Sequence, residues 1–380
     1  MRTAPPIQPR PDAAPLSIAL DASLWDESTT GIGLYTRRLA SALERQGVRI
    51  RRMGARHSGE NPRGDSSRTV YFLGKLSEIL AGIEEPLFHG LCNFNLPPVR
   101  VPGKRMVLTV HDLIPELLPQ TVSLAYRWQF RLWLTRSVRI ADRIICVSCK
   151  TRDDLLQRFP LDEAKLSVVY HGVDHVNAVP VLDATGAAFL HSLALPEQYV
   201  LYAGALDARK NVEALLTLTS RLRVGEKPVT LVLAGQNWYG SDVLATLISR
   251  ARKNGADIRS LGYQSEALFY EVMRRATVFA FPSRYEGFGL PPLEAMCLGV
   301  PTVVSTAGAL PEICGEAAVQ VAPDDVEGWA TAIQGLLNSP EERRARAAAG
   351  KERAGRFTWK EAARQTIQVY RAALADSAAA

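Results

Sequence analysis

The stretch that decides the fold runs Phe281-Pro282-Ser283-Arg284-Tyr285-Glu286-Gly287-Phe288-Gly289-Leu290-Pro291-Pro292-Leu293-Glu294-Ala295. An apolar strand, Val278–Phe281, leads into a glycine-containing loop, and proline then marks the first turn of a helix expected over Leu290–Cys297. Ligands of open parallel sheets bind beyond the carboxyl ends of the strands, which is where this loop falls. The amides of Gly287, Phe288, Gly289 and Leu290 stand at a helix N-terminus, an arrangement that favours a phosphate. Two carboxylates bracket the loop. Glu294, one turn into the helix, can accept two hydrogen bonds from a vicinal diol such as a ribose, and Glu286 can hold sugar hydroxyls.

Outward from this segment the chain alternates strands and helices, the pattern of parallel βαβ units. The first series comprises strand Ser17–Leu20, helix Thr36–Arg45, strand Val107–Val110, helix Tyr126–Ala141, strand Arg143–Val147, helix Lys150–Arg158 and strand Leu166–Tyr170. The second comprises strand Tyr199–Tyr202, helix Val212–Leu222, strand Thr230–Leu233, helix Asp242–Lys253, strand Ile258–Leu261, helix Ser265–Arg275, strand Val278–Phe281, helix Leu290–Cys297 and strand Thr302–Val304, with a last helix from Phe357 to Leu374. With 380 residues, 47% of them apolar, two domains are expected. The boundaries read as a disordered Pro-rich tail (1–15), an N-terminal Rossmann-like domain (16–178), a linker with some structure of its own (179–196), a C-terminal Rossmann-like domain (197–356) and a C-terminal helix (357–380) crossing back to the first domain. The polar, Gly-rich stretch Arg52 to Arg68 reads as a mobile loop.

Composition narrows the classes. No run approaches the ~18 apolar residues of a membrane span. The tail lacks the apolar centre of a secretory signal. Five cysteines suit reduced thiols and a cytoplasmic setting. Charge is uneven: 24 basic against 18 acidic residues up to residue 175, and 21 against 21 beyond it. A basic first half draws anionic partners, among them an anionic membrane surface. Nucleic acid is disfavoured, because no reader motif or aromatic platform is present. Tyr126 to Arg139 mixes arginine with tryptophan. It reads as a helix with a buried aromatic face and solvated arginines rather than as a bilayer-facing one.

Three further clusters sit where strands end. In Tyr202-Ala203-Gly204-Ala205-Leu206-Asp207-Ala208-Arg209-Lys210-Asn211, adjacent cations at a cleft mouth can clamp a diphosphate and stabilise its departure. Gly31-Ile32-Gly33 precedes a helix, but Thr36 stands where a dinucleotide fingerprint needs its third glycine, so NAD is disfavoured. His111-Asp112 could be a catalytic dyad, a metal-ligand pair or a local cap. Cys146 and Cys149 have CxxC spacing without a second pair, which argues against zinc or redox chemistry. No Asp-x-Asp occurs anywhere, which suggests a reaction without a metal, the cations and the helix N-terminus taking the metal's place; no cofactor is expected.

Glu286 and Glu294, separated by seven residues, followed by Ala295-Met296-Cys297-Leu298-Gly299-Val300-Pro301-Thr302-Val303, resemble the Glu-x7-Glu motif of the retaining family 4 glycosyltransferases. That resemblance implies the GT-B fold, two Rossmann-like domains facing a central cleft. It implies that Arg209 and Lys210 contact a nucleotide diphosphate, with Gly204 and the Gly287–Leu290 loop beside them. Gly31 and Gly33 would approach the donor phosphate, and His111 would lie against the donor sugar with Asp112 orienting it or its loop. His171-Gly172-Val173-Asp174 resembles a structural landmark ending the N-terminal domain. The implied activity is retaining transfer from a nucleotide-sugar to a saccharide or polyprenyl-diphosphate-linked acceptor; the missing Asp-x-Asp suits a metal-independent reaction, and the basic first half suits a cytoplasmic enzyme that is peripheral on the inner face of the cell membrane. The Gly31-Ile32-Gly33 and His-Asp-Leu-Ile-Pro stretches most resemble the bacterial mannosyltransferase-like branch. GDP-mannose is therefore the expected donor, a UDP-sugar such as UDP-glucose the runner-up, and a GT-B sugar-nucleotide epimerase or hydrolase the alternative from another class.

Overall fold

The computed structural model describes residues 16–26, 31–54, 74–235 and 241–376. The Pro-rich tail, and the expected loop from residue 55 onward, lie outside them. Arg52 belongs instead to an edge strand. Six parallel strands form the N-terminal sheet: β1 (Ser17–Asp21), β2 (Arg49–Met53), β3 (Leu87–Gly90), β4 (Arg105–Val110), β5 (Arg143–Cys146) and β6 (Leu166–Val168), in the order β2-β1-β3-β4-β5-β6. The second sheet is built from β7 (Tyr199–Ala203), β10 (Thr230–Ala234), β11 (Asp257–Gly262), β12 (Val278–Phe281), β13 (Thr302–Ser305) and β14 (Val319–Val321). Its order is β11-β10-β7-β12-β13-β14, again parallel throughout. The two-residue strands β8 (Arg223–Val224) and β9 (Lys227–Pro228) make a separate small hairpin.

Strand periodicity explains the layers. Successive side chains point to opposite faces. In β4, Met106, Leu108 and Val110 join one core with Ile144 and Cys146 of β5, packed against Phe130, Leu134 and Val138 of the helix Leu124–Ile140. Val107 and Ile145 point the other way, with Ile18 and Leu20 of β1, into a core closed by the helices Gly31–Arg45 and Trp359–Ala375. The last helix therefore belongs physically to the first domain. The polar contacts from Tyr370 Oη to His89 Nδ1 (2.7 Å) and from His89 Nε2 to Thr109 Oγ1 (2.8 Å) fasten it there. Burial pushes the His89 pKa down to about 3, so this link stays neutral.

The stretch between the domains folds onto the second one. It contains the helix Ala184–Ser192, capped by Asp183, and Leu190 enters the C-terminal core. Val173 and Val176 enter that core as well, so the chain joins the second domain's packing before residue 179. Two local expectations need correction. Gly31 and Gly33 lie inside the first turn of the helix Gly31–Arg45, not in a loop ahead of it. The helix Leu124–Ile140 buries Phe130 and Leu134 but turns Leu124, Trp128 and Leu132 outward, at 68%, 64% and 71% exposure. The arc facing the sheet is too narrow to take every apolar side chain.

Candidate active site

The second sheet reverses its winding between β7 and β12, and a crevice opens beyond the carboxyl ends of strands at such a switch. The segments following those two strands are Gly204–Asn211 and Pro282–Leu290. Topology therefore brings together residues more than 70 positions apart in sequence.

Arg209 and Lys210 occupy a single turn of 3-10 helix, Ala208–Lys210, capped by the Asp207 side chain. Both reach one carboxylate oxygen: Glu286 Oε1 accepts from Arg209 Nη1 at 2.8 Å and from Lys210 Nζ at 2.7 Å. Ser283 Oγ donates to the same oxygen at 2.5 Å. Arg209 also donates to the Tyr285 carbonyl (2.9 Å), and Lys210 Nζ lies 4.9 Å from the centre of the Phe281 ring. Burial by itself would raise the Glu286 pKa; the Lys210 and Arg209 charges and the hydrogen bonds overcome it and hold the carboxyl at about 2. For Arg209, burial opposes the charged form, but Glu286, Asp207 and Asp112 outweigh it, and its pKa is raised.

This pairing has a pH signature. The Glu286 carboxyl lies below its ordinary value of 4.5, so its stabilising contribution is complete above that pH and fades as pH falls toward about 2. The full contribution is about 3 kcal/mol at neutral pH, from 1.36 kcal/mol per unit. Glu286→Gln should therefore be less stable than wild type at pH 7, with roughly half of that gap gone by pH 3 in denaturant titrations. A gap unchanged between the two pH values would mean that the carboxylate is not ion-paired.

The loop that follows keeps its amides open. Among the described residues no acceptor takes the N–H groups of Gly287, Phe288, Gly289 or Leu290. Gly289 caps the helix Leu290–Cys297 with φ +103°, a conformation reserved for residues without a Cβ. Glu294, on that helix, is 4% exposed and accepts from Tyr270 Oη at 3.0 Å. His175 Nδ1 accepts from Trp359 Nε1 (3.1 Å), which leaves the proton on Nε2, 3.1 Å from Tyr270 Oη and 3.3 Å from Glu294. A chain of polar contacts thus holds Glu294 from the domain-crossing helix. Neither His175 nor Tyr270 is marked by the sequence. Ser283 is inside the quoted motif, three residues before Glu286, and could have been found there.

The N-terminal domain closes over this loop. The Gly287 carbonyl accepts from Ser148 Oγ (2.6 Å) and Thr151 Oγ1 (3.3 Å). Glu312, from the C-terminal domain, accepts the amides of Cys149 (2.7 Å) and Lys150 (3.0 Å), a carboxylate set on the N-terminus of the opposing helix Cys149–Arg158. Tyr285 Oη donates to Asp154 at 2.6 Å. His111 sits at this junction, at the end of β4. Its Nε2–H donates to the Leu91 carbonyl (2.8 Å), and burial lowers its pKa to about 4, so the ring is neutral. Asn93 Oδ1 accepts its amide (2.7 Å), and Asp112 caps the next turn through the Ile114 amide (3.1 Å). Leu91 and Asn93, rather than Asp112, hold His111. Gly31 faces open space, and Gly204 adopts φ +148° beside Tyr202 Oη. Cys146 is buried, and Cys149 Sγ lies 3.6 Å from Tyr170 Oη, both as free thiols.

Two parallel six-stranded domains, meeting at a cleft that carries a cation pair and an open helix N-terminus, define a GT-B transferase. Residues 29–176 match the family model described as Glycosyltransferase Family 4, and residues 190–353 the one described as Glycosyl transferases group 1. The chain is 32% identical over 304 residues to the O-antigen chain mannosyltransferase B of Escherichia coli, covering 77% of this chain and 76% of that one. It belongs to the family 4 glycosyltransferases, in their mannosyltransferase-like branch, and is an enzyme of that class. The sucrose-phosphate synthase of Thermosynechococcus elongatus superposes with a TM-score of 0.75 at 22% identity, over 95% of this chain and 99% of that one. HepE of Anabaena, solved with UDP and glucose, superposes at 0.72 and 18% identity, over 94% and 100%. Likeness at this identity establishes the fold.

Proposed function

We propose that the enzyme transfers mannose from GDP-mannose, with retention and without a metal, to a saccharide or lipid-linked saccharide acceptor in surface polysaccharide synthesis. The observation that carries this reading is the convergence of Arg209, Lys210 and Glu286 beside the open amides of Gly287–Leu290. The donor diphosphate would lie against the two cations and those amides, Glu294 would hold the ribose and Glu286 the sugar hydroxyls. Gly31 and Gly33 would border the phosphates, and the His111 segment would flank the sugar. The bond from the anomeric carbon to the diphosphate oxygen breaks, and its electron pair leaves with the diphosphate, where fixed positive charge stabilises it. The acceptor oxygen bonds to the anomeric carbon from the same face, and its proton passes to a donor phosphate oxygen. Closure of the N-terminal domain excludes water that would hydrolyse the donor.

The mannosyltransferase relative supports mannose; a UDP-sugar is the second reading, supported by the HepE likeness. Melting curves with GDP-mannose, GDP, UDP-glucose and UDP separate them, because a ligand bound only by the folded state raises Tm. GDP-mannose should give the largest shift; a larger shift with UDP-glucose would replace it, and no shift with either would remove the donor assignment. Turnover should continue in excess EDTA, and loss restored by a divalent ion would contradict the metal-free clamp. Acceptor-independent turnover would indicate an epimerase or hydrolase instead. Among the described residues no helix is long and apolar enough to cross a membrane. With the basic first half of the chain, the reading places the enzyme peripherally, on the anionic inner face of the cell membrane.

A further inference from the structure

The helix Leu124–Ile140 carries two neighbouring ridges that the donor site does not use. Residues four apart stack along one side of a helix. Arg127, Arg131, Thr135 and Arg139 form the first ridge. With Arg158, Phe159, Pro160 and Glu116 they enclose a cavity of about 340 Å³, none of whose walls belongs to the donor site. Four guanidinium groups and one carboxylate-bearing residue thus line it. Their protein contacts are sparse: Arg158 Nη1 reaches the Glu116 carbonyl at 3.4 Å, and among the described residues none of the four is ion-paired. Glu116 is 7% exposed, and its Oε1 is buried without any hydrogen-bond partner. With four guanidinium groups in its lining, the cavity asks for an anion.

The second ridge is Leu124, Trp128 and Leu132, immediately beside the arginines and all more than 60% exposed. Three large apolar side chains in a row next to a cationic cavity match a surface with anionic heads above hydrocarbon.

We propose that this cavity binds the phosphate of an anionic membrane phospholipid: Arg127, Arg131, Arg139 and Arg158 take the phosphate, and Leu124, Trp128 and Leu132 enter the acyl layer. The proposal rests on the peripheral-membrane reading above and names its site. It is tested by co-sedimentation of the full chain with phosphatidylcholine vesicles, with and without phosphatidylglycerol. Wild type should bind the phosphatidylglycerol vesicles at least ~10-fold better, less so at high salt. Arg131→Gln/Arg139→Gln and Trp128→Ala/Leu132→Ala should each lose at least ~10-fold of that binding. All these side chains are solvent-facing, so melting temperature and turnover on a water-soluble acceptor should match wild type. Unaltered vesicle binding in the arginine variant overturns the proposal. So does a Tm shift by free glycerol 3-phosphate that needs these arginines while vesicles do not bind, which would make the ligand a free phosphate. Failure of turnover in wild type itself would instead overturn the donor reading, whatever the vesicles show.

Discussion

Replacing Lys210 with alanine is expected to lower kcat/KM by at least ~10²-fold, the loss typical of a charged group acting on a developing anion. Lys210 sits 8% exposed, with its ammonium fixed between Glu286 and the Phe281 ring. Its position is set before any substrate arrives, so no reorganisation is needed when charge builds on the leaving diphosphate. Lys210→Arg should not restore activity, because a planar fork cannot occupy the place of a compact ammonium in a buried pocket. Removing Lys210 also leaves Glu286 with Arg209 and Ser283 alone, and breaking a buried pair costs about 3–5 kcal/mol at most. The kinetics are therefore to be read well below the variant's melting temperature, alongside its affinity for the nucleoside diphosphate. Near-wild-type kcat/KM in a folded variant would exclude the clamp.

Gly287→Ala should be equally damaging by a different route. A Cβ at this position would lie 1.8 Å from the His111 carbonyl oxygen, a backbone atom, and a Cβ has no rotamer by which to swing aside. The donor loop would retreat from β4 by more than 1 Å, loosening the Ser148–Gly287 hydrogen bond and the closed domain contact with it. Misplacement on that scale can cost ~10²-fold in rate. We expect a loss of that order in kcat/KM and a lower Tm. Gly335→Ala is the control: nothing lies within 4 Å of its added Cβ, and inside the helix Val326–Asn338 it should gain about 0.5–1 kcal/mol. A Gly287→Ala enzyme with unchanged kinetics would show that the closed contact is not the catalytic arrangement.

The legible parts of the fold were those written locally. β7, β10, β12 and β13 are short apolar runs buried on both faces, and such strands read directly as hydrophobic segments. β2 escaped the same reading. Its sequence Arg49-Ile50-Arg51-Arg52-Met53 is an edge strand, where charge protects an open ladder and erases the apolar signal. β3 is four residues long and buries His89 inside a polar network, so neither its length nor its composition marks it. The helix Val326–Asn338 carries local signals of its own: Asp325 caps it, and Trp329, Ile333, Leu336 and Leu337 repeat along its buried face. On the helix Leu124–Ile140 the expected burial holds for Phe130 and the expected solvation for Arg131 and Arg139, but Trp128 faces outward, since periodicity gives an apolar arc without saying how much of it a neighbour covers.

For the site, the chain alone supplied the chemistry: an arginine–lysine pair, two carboxylates seven residues apart, and glycines leading into a helix. Those are local facts, set by residue identity and by spacing along one loop. The tertiary structure supplied the encounters. It placed Arg209 and Lys210 on Glu286 across the β7–β12 switch, set Glu312 on the opposing helix, and tied Glu294 through Tyr270 and His175 to Trp359. Strand order and domain closure decide such contacts, because they join groups remote in sequence whose distances no local pattern encodes.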